Sequence, residues 1–277
     1  MSMPKYVFKS LAKFNHKLLK KTQHAPYKWQ VPLYGKRVQV VHPTLPAPAL
    51  SKKETKIVQS KVGTFIYYGR AVEPTLLVVL NEIYSDQAKP TQSTVKDLTR
   101  LLDFLATYPN VIIRYVAGTM QLKVESDASY LSVKDSRSRY AGHFYLQPLP
   151  NRYNSTAQNG PIHKECAVLK NVVCLTAEAD CGGDFHNSQK VVVIKRALEA
   201  LGHCQQATDV KTDNSTMRSK RSKTWDMRWK WLREKLQQRH FKIIWSKGTR
   251  NKADYFSKHY VPSHHRRVRS DYILQGY

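Results

Sequence analysis

The feature that most constrains the fold of this chain is a change of hydrophobic periodicity at Pro109. Before it, residues 94–108 carry apolar side chains at helical spacing. After it, residues 120–127 alternate between apolar and polar side chains at a period of two, which predicts a half-buried strand. We therefore expect a mainly helical region followed by a domain built around a sheet.

The segments after Pro109 predict a regular succession of strands and helices. Three antiparallel strands come first, then a long helix that ends at Gly202, then alternating strands and helices. The predicted strands are 120–127 (preceded by the strand-like 111–115), 139–146, 162–168, a short one ending at 212–213, and 240–245; the predicted helices are 176–201, 224–238 and 251–259. This β-β-β-α-β-α-β-α order predicts the α/β class, with a mixed sheet and helices on its faces.

The sequence divides into three regions. Residues 1–50 combine a basic N-terminal helix with a proline-rich connector, because the prolines exclude regular helix and central strand there. Residues 51–110 are expected to form a helical connection region, which begins at an N-cap Ser51 with Glu54 in the capping-box position. Residues 111–277 contain the predicted sheet domain and a basic C-terminal tail.

Positive charge is concentrated at the two ends of the chain, whose formal net charge is +26. The first 53 residues contain eleven Lys or Arg and no acid, and residues 218–269 contain seventeen basic residues against three acids. Such an excess indicates a polyanionic partner. We favour nucleic acid, with an anionic membrane surface as the alternative. No run of eighteen apolar residues occurs, so no membrane-spanning helix is expected.

The four cysteines include no C-x-x-C pair, so a zinc site has little support. Because no secretory signal opens the chain, reduced thiols in an intracellular compartment are expected. Residues 5–21 form an acid-free amphipathic segment, which is also compatible with an organelle transit peptide. The nucleus, the cytoplasm and an organelle such as the mitochondrion therefore remain open.

Acidic residues lie where predicted strands end or helices begin, namely Asp127, Glu178, Asp180, Asp213 and Asp254. In this topology the ends of the first and fourth strands are neighbours, so these carboxylates are expected to converge. Converging carboxylates raise one another's pKa values, and hard divalent cations such as Mg²⁺ relieve that repulsion. Two such ions can activate a water and stabilise the leaving oxygen of a phosphodiester. The alternative for each single acid is a helix cap or a partner of the helix dipole.

Short motifs in the second half carry a family resemblance. In chain order they are 126–130 (SDASY), 176–180 (TAEAD), 212–216 (TDNST), 226–233 (DMRWKWLR) and 251–258 (NKADYFSK). Together they resemble the ribonuclease H domain of copia-type LTR retrotransposon polyproteins. Upstream, residues 62–71 (VGTFIYYGRA) resemble the segment that connects reverse transcriptase to ribonuclease H in these elements.

The resemblance implies a ribonuclease H-like fold that hydrolyses the RNA strand of RNA–DNA hybrids. It implies that Asp127, Asp180, Asp213 and Asp254 are catalytic and hold two Mg²⁺ ions, with Glu178 as the alternative to Asp180. These two acids are two residues apart on a predicted helix, so only one of them can face the metals.

Several departures from the family bear on activity. Asp180 stands where the family has a Glu, and a displacement of about 1 Å in a catalytic group can cost on the order of a hundredfold in rate. The family's helix after the third carboxylate is replaced by the short, basic, Ser-rich stretch 217–223. No His lies between Trp245 and Asp254, where cellular ribonucleases H carry one. The chain has no Tyr-x-Asp-Asp motif, so it is not expected to synthesise DNA.

Basic residues of the second half are the predicted nucleic-acid contacts. On the predicted helix 224–238, one face is expected to pack into the core and consists of Trp225, Arg228, Trp229 and Leu232. Lys230 and the arginines on the other faces are left for phosphates. The predicted contacts are Arg218, Lys220, Arg221, Lys223, Arg228, Lys230, Arg233, Arg266, Arg267 and Arg269.

Three interpretations follow. The first is a retroelement-derived ribonuclease H, an Mg²⁺-dependent endonuclease acting on RNA–DNA hybrids. The second is a catalytically inactive protein with the same fold, repurposed for RNA binding or for a structural role in a ribonucleoprotein. The third is an element remnant with no selected function. Mg²⁺-dependent cleavage separates the first interpretation from the other two.

Overall fold

The computed structural model describes residues 1–17, 22–29, 47–149, 159–214 and 227–275. The chain divides into two compact units, the first formed by Met1–Arg114 with His259–Tyr277 and the second by Tyr115–Lys258. The boundary predicted after residue 110 lies close to this division. The residues from His259 onward, which the sequence analysis assigned to the sheet domain, belong to the first unit.

The first unit is mainly helical. Its elements are α1 (Tyr6–Lys13), α2 (Lys52–Ala71), α3 (Leu77–Asp86), α4 (Gln92–Thr107), β1 (Val111–Ile112), α7 (Pro262–Arg269) and β7 (Leu274–Gln275). At the start of α2 the capping box is confirmed, because the Glu54 backbone N–H donates to Ser51 Oγ and the Ser51 backbone N–H donates to Glu54 Oε2. Its core includes Val62, Phe65 and Leu101, which have no exposed surface.

Two predicted elements of this unit are shorter than expected. α1 ends at Lys13 because Asn15 takes a left-handed conformation with φ of 50°, and the backbone N–H of His16 donates to the Leu11 carbonyl. The strand predicted over 111–115 covers only two residues. It pairs with β7 rather than with the large sheet.

The second unit is built on a five-stranded mixed sheet. Its elements are β2 (Gly118–Val133), β3 (Arg137–Pro148), β4 (Pro161–Val168), α5 (Thr176–Ala200), β5 (Thr208–Thr212), α6 (Met227–Gln237), β6 (Phe241–Trp245) and a 3₁₀ segment (Lys252–Phe256). The strand order is β4-β3-β2-β5-β6. β3 is antiparallel to β2 and β4, whereas β5 is parallel to β2 and β6. The predicted α/β, ribonuclease H-like mixed sheet is therefore confirmed.

The two faces of β2 have different partners because successive side chains of a strand point to opposite sides. Leu122 and Val124 belong to a core cluster that includes Val191 of α5 and Leu232 of α6. The other face of β2 meets the 3₁₀ segment, where Glu125 Oε2 accepts a hydrogen bond from the Lys252 backbone N–H. The sheet is thus covered by helices on one face and by the 3₁₀ segment on the other.

Two further expectations concern the end of this unit and its loops. The helix predicted over 251–259 is instead the 3₁₀ segment, because the backbone N–H groups of Asp254 and Ser257 donate three residues back, to the carbonyls of Asn251 and Asp254. Most of the hairpin loop predicted over 148–160 lies outside the described residues. The same holds for the first residues of the helix predicted over 224–238, of which the described part begins at Met227.

Candidate active site

The register of the sheet brings Asp127 next to Asp213. β2 and β5 are parallel, and Glu125 of β2 lies opposite Lys211 of β5. Asp127 and Asp213 each come two residues later on their own chain segment, and Asp213 directly follows the last residue of β5. The neighbouring ends of the first and fourth strands, predicted from topology, are therefore confirmed.

Helix α5 supplies two more carboxylates to the same place. Asp180 and Asp184 are four residues apart, so they lie on one face of the helix. Between them, Gly183 lets the helix approach the sheet, because a Cβ atom at this position would lie 3.3 Å from the Asp127 carbonyl oxygen. We refer to Asp127, Asp180, Asp184, Asp213 and Asp254 as the carboxylate cluster.

Asp127 is the acid of β2 in this cluster, and only 5% of its surface is exposed. Burial raises its pKa to about 7, and the negative charges of Asp254 and Asp213 add to the increase, whereas Lys258 and a hydrogen bond with Ser257 oppose it. Its Oδ2 atom is buried, and no described residue forms a hydrogen bond with it. A buried, unpartnered carboxylate oxygen is costly unless a cation or a proton compensates it.

Asp180 shows the same behaviour on the helix side. Burial raises its pKa to about 8, and Asp127, Asp184 and Asp213 each contribute. The side-chain amide of Asn214 donates a hydrogen bond of 3.0 Å to Asp180 Oδ2, which opposes that increase. The pKa of Asp213 is also raised, by burial and by Asp254.

Asp184 is a member of the cluster that the sequence analysis missed. Its side chain is 1% exposed, and burial raises its pKa to about 7 despite hydrogen bonds with Ser126 and Thr212. Its Oδ2 atom, like that of Asp127, has no hydrogen-bond partner. The only sequence signal for it was its position one helical turn after Asp180.

Glu178 lies apart from this arrangement. Its Oε2 atom accepts a hydrogen bond of 2.7 Å from the Cys174 backbone N–H, just before α5. This is the capping role that the sequence analysis named as the alternative for each acid. Of the two acids that the sequence analysis left open for one place in the site, Glu178 thus binds the backbone at the start of α5, whereas Asp180 binds Asn214, the residue after Asp213.

Two further side chains border the cluster. The Lys258 ammonium lies 2.5 Å from Asp254 Oδ1, in an i,i+4 ion pair. The indole of Trp245 donates a hydrogen bond of 3.0 Å to the Asp213 carbonyl oxygen, while 52% of the residue stays exposed. An aromatic side chain fixed beside the cluster offers a flat apolar surface to a bound molecule.

The donors of the cluster suit a hard divalent cation in type, since carboxylate oxygens are the ligands that Mg²⁺ prefers. The unpartnered Oδ2 atoms of Asp127 and Asp184 also fit such an ion, because they are buried acceptors that lack a donor. Among the residues that the structure describes, however, no three His, Cys, Asp or Glu side chains are grouped closely enough to hold a metal ion. The donor chemistry fits Mg²⁺, whereas the acids are not gathered around a single point.

The predicted nucleic-acid contacts fall into three groups. On α6, Lys230 and Arg233 are exposed, while Trp229 and Leu232 pack into or against the core as predicted. Arg228, which also lies on α6, is half-buried. On α7, Arg266 and Arg267 are exposed. Arg218, Lys220, Arg221, Lys223 and Trp225 lie outside the described residues.

The prediction that Arg269 contacts nucleic acid is wrong. Its guanidinium is 5% exposed and donates to both carboxylate oxygens of the fully buried Glu73, at 3.3 Å and 2.7 Å. The rings of Phe104 and Tyr108 lie 5.2 Å and 4.8 Å from the guanidinium carbon. A side chain held by a buried carboxylate in this way cannot reach a phosphate.

Two expectations from composition can be checked directly. The four cysteines all lie among the described residues, and none of them forms a disulfide. In the described part of the chain, no helix is both long enough and apolar enough to cross a membrane.

Comparison with known proteins gives matches among solved structures alone. No known family matches the sequence, and no curated protein matches it. The chain is similar to an N-terminal RNase H domain from Mycobacterium tuberculosis, with 14% identity over 55% of this chain and 96% of that one, at a TM-score of 0.32. It is also similar to RNase H1 from Halobacterium salinarum, with 11% identity over 50% of this chain and 94% of that one, at a TM-score of 0.29.

A third similar structure is the foamy viral protease-reverse transcriptase in complex with an RNA/DNA hybrid. The identity is 16% and the TM-score 0.47, and the match covers 74% of this chain. It spans only 26% of the viral chain. All three structures are less than 20% identical to this chain.

Proposed function

We propose that this chain is a retroelement-derived ribonuclease H of the copia type, which hydrolyses the RNA strand of RNA–DNA hybrids with Mg²⁺. One observation carries the proposal. The parallel pairing of β2 and β5 sets Asp127 beside Asp213, and carboxylates of β2, α5 and the end of β5 have raised pKa values to which the charges of neighbouring acids contribute. Acids on separate elements that perturb one another in this way are typical of functional sites.

In this proposal Asp127, Asp180, Asp213 and Asp254, which are not gathered around a single point in this structure, would hold the magnesium when it binds. When bound, Mg²⁺ lowers the pKa of a coordinated water and stabilises negative charge on the phosphodiester oxygens. The Asn214 amide orients Asp180 through its hydrogen bond to Oδ2. Asp184 lies behind them, held by Ser126 and Thr212, and acts as a positioning residue that keeps α5 against the ends of β2 and β5.

The exposed basic residues would bind the substrate by its backbone. Lys230 and Arg233 of α6 are placed to contact phosphates, and Trp245 offers its exposed ring beside Asp213. Hybrid and double-stranded RNA helices are recognised mainly by shape and by backbone contacts, which a basic surface of this kind suits. The exposed Arg266 and Arg267 of α7 are proposed as additional phosphate contacts.

The experiment is cleavage of a labelled RNA–DNA hybrid with and without Mg²⁺, using the wild type and an Asp127→Asn/Asp213→Asn variant. We expect cleavage that requires Mg²⁺ and that falls by at least about a thousandfold in the variant, because these residues act as one unit. Binding of the hybrid should persist in the variant, since the basic contacts are unchanged. A wild type that binds the hybrid but does not cleave it with Mg²⁺ would exclude the enzyme.

A second candidate is a catalytically inactive RNA-binding protein with the same fold. Two observations favour it: Asp180 is shorter than the family's Glu, and Asp254 is engaged by Lys258 rather than left open. In this case RNA affinity should fall steeply with salt, and the slope should be the same in the wild type and in Asp127→Asn. A role within a ribonucleoprotein would follow from that binding.

A further inference from the structure

The carboxylate cluster poses a charge problem. Asp127 and Asp184 are 5% and 1% exposed, and among the residues that the structure describes the Oδ2 atom of each has no hydrogen-bond partner. Ionised carboxylates that are buried in this way need a cation or protons to compensate them. The question is which group of this chain supplies that positive charge.

Lys258 is the cation placed to do so. Its ammonium lies 2.5 Å from Asp254 Oδ1, and Asp254 is 26% exposed at its side chain. The backbone next to it is fixed, because the Ser257 carbonyl accepts a hydrogen bond of 2.7 Å from Ser129 Oγ of β2. Lys258 is therefore anchored at the sheet rather than on a free turn.

The turn that carries this ion pair is tied to the strand of Asp127. Ser257 Oγ donates a hydrogen bond of 2.9 Å to the Asp254 carbonyl oxygen, which closes the turn between Asp254 and Lys258. The Ser257 carbonyl in turn accepts from Ser129, two residues after Asp127 on β2. The ammonium is therefore held beside the carboxylate cluster.

The position of Lys258 also conflicts with a metal at Asp254. The Asp254 Oδ1 atom is already occupied by the ammonium, and a divalent cation that uses Asp254 must compete for the same oxygen. The lysine has a way out, because 44% of its side chain is exposed and its four-carbon stem is flexible.

We propose that the Lys258 ammonium is a built-in counter-ion that occupies the carboxylate cluster, and that a divalent cation must displace it from Asp254 in order to bind. This inference rests on the proposed function, because it takes the cluster to be a metal site. It makes Lys258 a positioning residue: it sets how tightly the site holds Mg²⁺ and stabilises the cluster when no metal is bound.

The test compares the wild type with Lys258→Met, which keeps the apolar stem and removes the charge. Mg²⁺ and Mn²⁺ dissociation constants are measured by calorimetry at about pH 8, and melting temperatures are measured in EDTA and in excess Mg²⁺. We expect the variant to bind the metal about tenfold more tightly, a difference of about 1.4 kcal/mol, because nothing has to be displaced. It should melt below the wild type in EDTA and gain more than the wild type from Mg²⁺.

Two controls keep the result specific. Lys242→Met removes an equal charge from an exposed position on β6 and should leave the metal affinity unchanged. Lys258→Arg keeps the charge and should restore both the wild-type metal affinity and the wild-type melting temperature in EDTA. It also serves if Lys258→Met does not fold, because Lys258→Arg must then retain wild-type binding.

The outcomes separate this inference from the proposed function. If the wild type binds Mg²⁺ and Lys258→Met binds it equally or more weakly, the counter-ion inference is overturned while the metal site stands. If Lys258→Met binds Mg²⁺ and the wild type does not, the inference is supported and the enzyme proposal fails. If neither protein binds, both are overturned.

Discussion

Two buried groups of charge distinguish the two compact units, and they are balanced in opposite ways. In the first unit, Glu73 and Arg269 form a pair with two hydrogen bonds, and Thr75 donates another to Glu73. In the second unit, the carboxylate cluster brings like charges together, and among the described residues the Oδ2 atoms of Asp127 and Asp184 have no hydrogen-bond partners. The first group is matched charge for charge within the fold, whereas in the second five carboxylates share the one ammonium of Lys258.

The difference indicates separate roles. A buried pair whose hydrogen bonds are satisfied is compatible with a purely structural contribution. A cluster of like charges lowers the stability of the folded state, so its presence favours binding of a positively charged group. The predictions below test whether the two groups respond to mutation and pH as these roles require.

The largest expected effect comes from breaking the compensated pair. Arg269→Met leaves the fully buried Glu73 without its counter-ion, so we expect a loss of about 3–5 kcal/mol in the free energy of unfolding. Urea denaturation followed by circular dichroism measures it. Arg266→Met, on the exposed side of the same helix, should change stability by less than about 0.5 kcal/mol. Equal effects of the two substitutions would show that Glu73 does not depend on Arg269.

A substitution in the carboxylate cluster should change the free energy of unfolding with the opposite sign. In EDTA at about pH 8, Asp127→Asn removes a buried like charge, so we expect the free energy of unfolding to rise by about 2 kcal/mol. The control is Asp209→Asn, which breaks a partly exposed ion pair with Lys123 and should lower stability by less than about 1 kcal/mol. Destabilisation by Asp127→Asn would show that the cluster is already compensated.

The pH dependence should also differ between the units. The folded pKa values of Asp127 and Asp180 are raised to about 7 and about 8, so the folded state binds protons that the unfolded chain releases near pH 4. Without metal, these acids therefore make the second unit less stable as pH rises from about 4 to about 8, by up to about 1.4 kcal/mol per pH unit for each proton. Mg²⁺ should remove this loss.

The first unit should behave in the reverse sense. Burial lowers the pKa of His265 to about 3, so the unfolded chain takes up a proton below about pH 6.5 that the folded state does not, and stability falls as pH falls. Burial also lowers the pKa of His143, in the second unit, to about 3. The stability of the second unit should therefore also fall as pH falls below about 6.5. Hydrogen exchange between about pH 5 and pH 9 reports the two units separately. An alkaline loss shared by both units in EDTA would contradict the assignment to the cluster.

The smallest expected effect concerns the side-chain length of Asp180 on α5. Asp180→Glu introduces the longer side chain that the resemblance to copia-type ribonuclease H domains predicts, so, if the proposed function holds, we expect Mg²⁺-dependent hybrid cleavage to increase about tenfold. Single-turnover rates measure it. Asp184→Glu is the matched control on the same helix face and should not increase the rate, because Ser126 and Thr212 already bind the buried Asp184 carboxylate. A gain in both variants would mean that side-chain length at 180 is not the limiting feature.

Local pattern was enough to predict most of the sheet domain. The alternation over 120–127 and the parallel pairing of the first and fourth strands predicted that Asp127 and Asp213 would be neighbours. Ser51 and Glu54 predicted a helix start because a capping box is defined within four residues. These features could be predicted because each depends on residues that are close to one another in the sequence.

The remaining features depend on residues far apart in the chain. The sequence predicted an exposed Arg269, because its buried partner, Glu73, lies 196 residues away in the chain and no local pattern links the two. Nothing in the sequence indicated that Asp184 is buried, because its hydrogen-bond partners, Ser126 and Thr212, lie on two different strands. Glu178 and Asp180 could not be separated until the start of α5 was known, because capping by Glu178 depends on where the helix begins.

Gly248 leaves room for the Asp213 side chain. A Cβ atom there would lie 2.6 Å from Asp213 Oδ2, so any other residue at this position must push that carboxylate aside. A substitution at an uncharged residue would therefore move one of the charges of the carboxylate cluster without removing it.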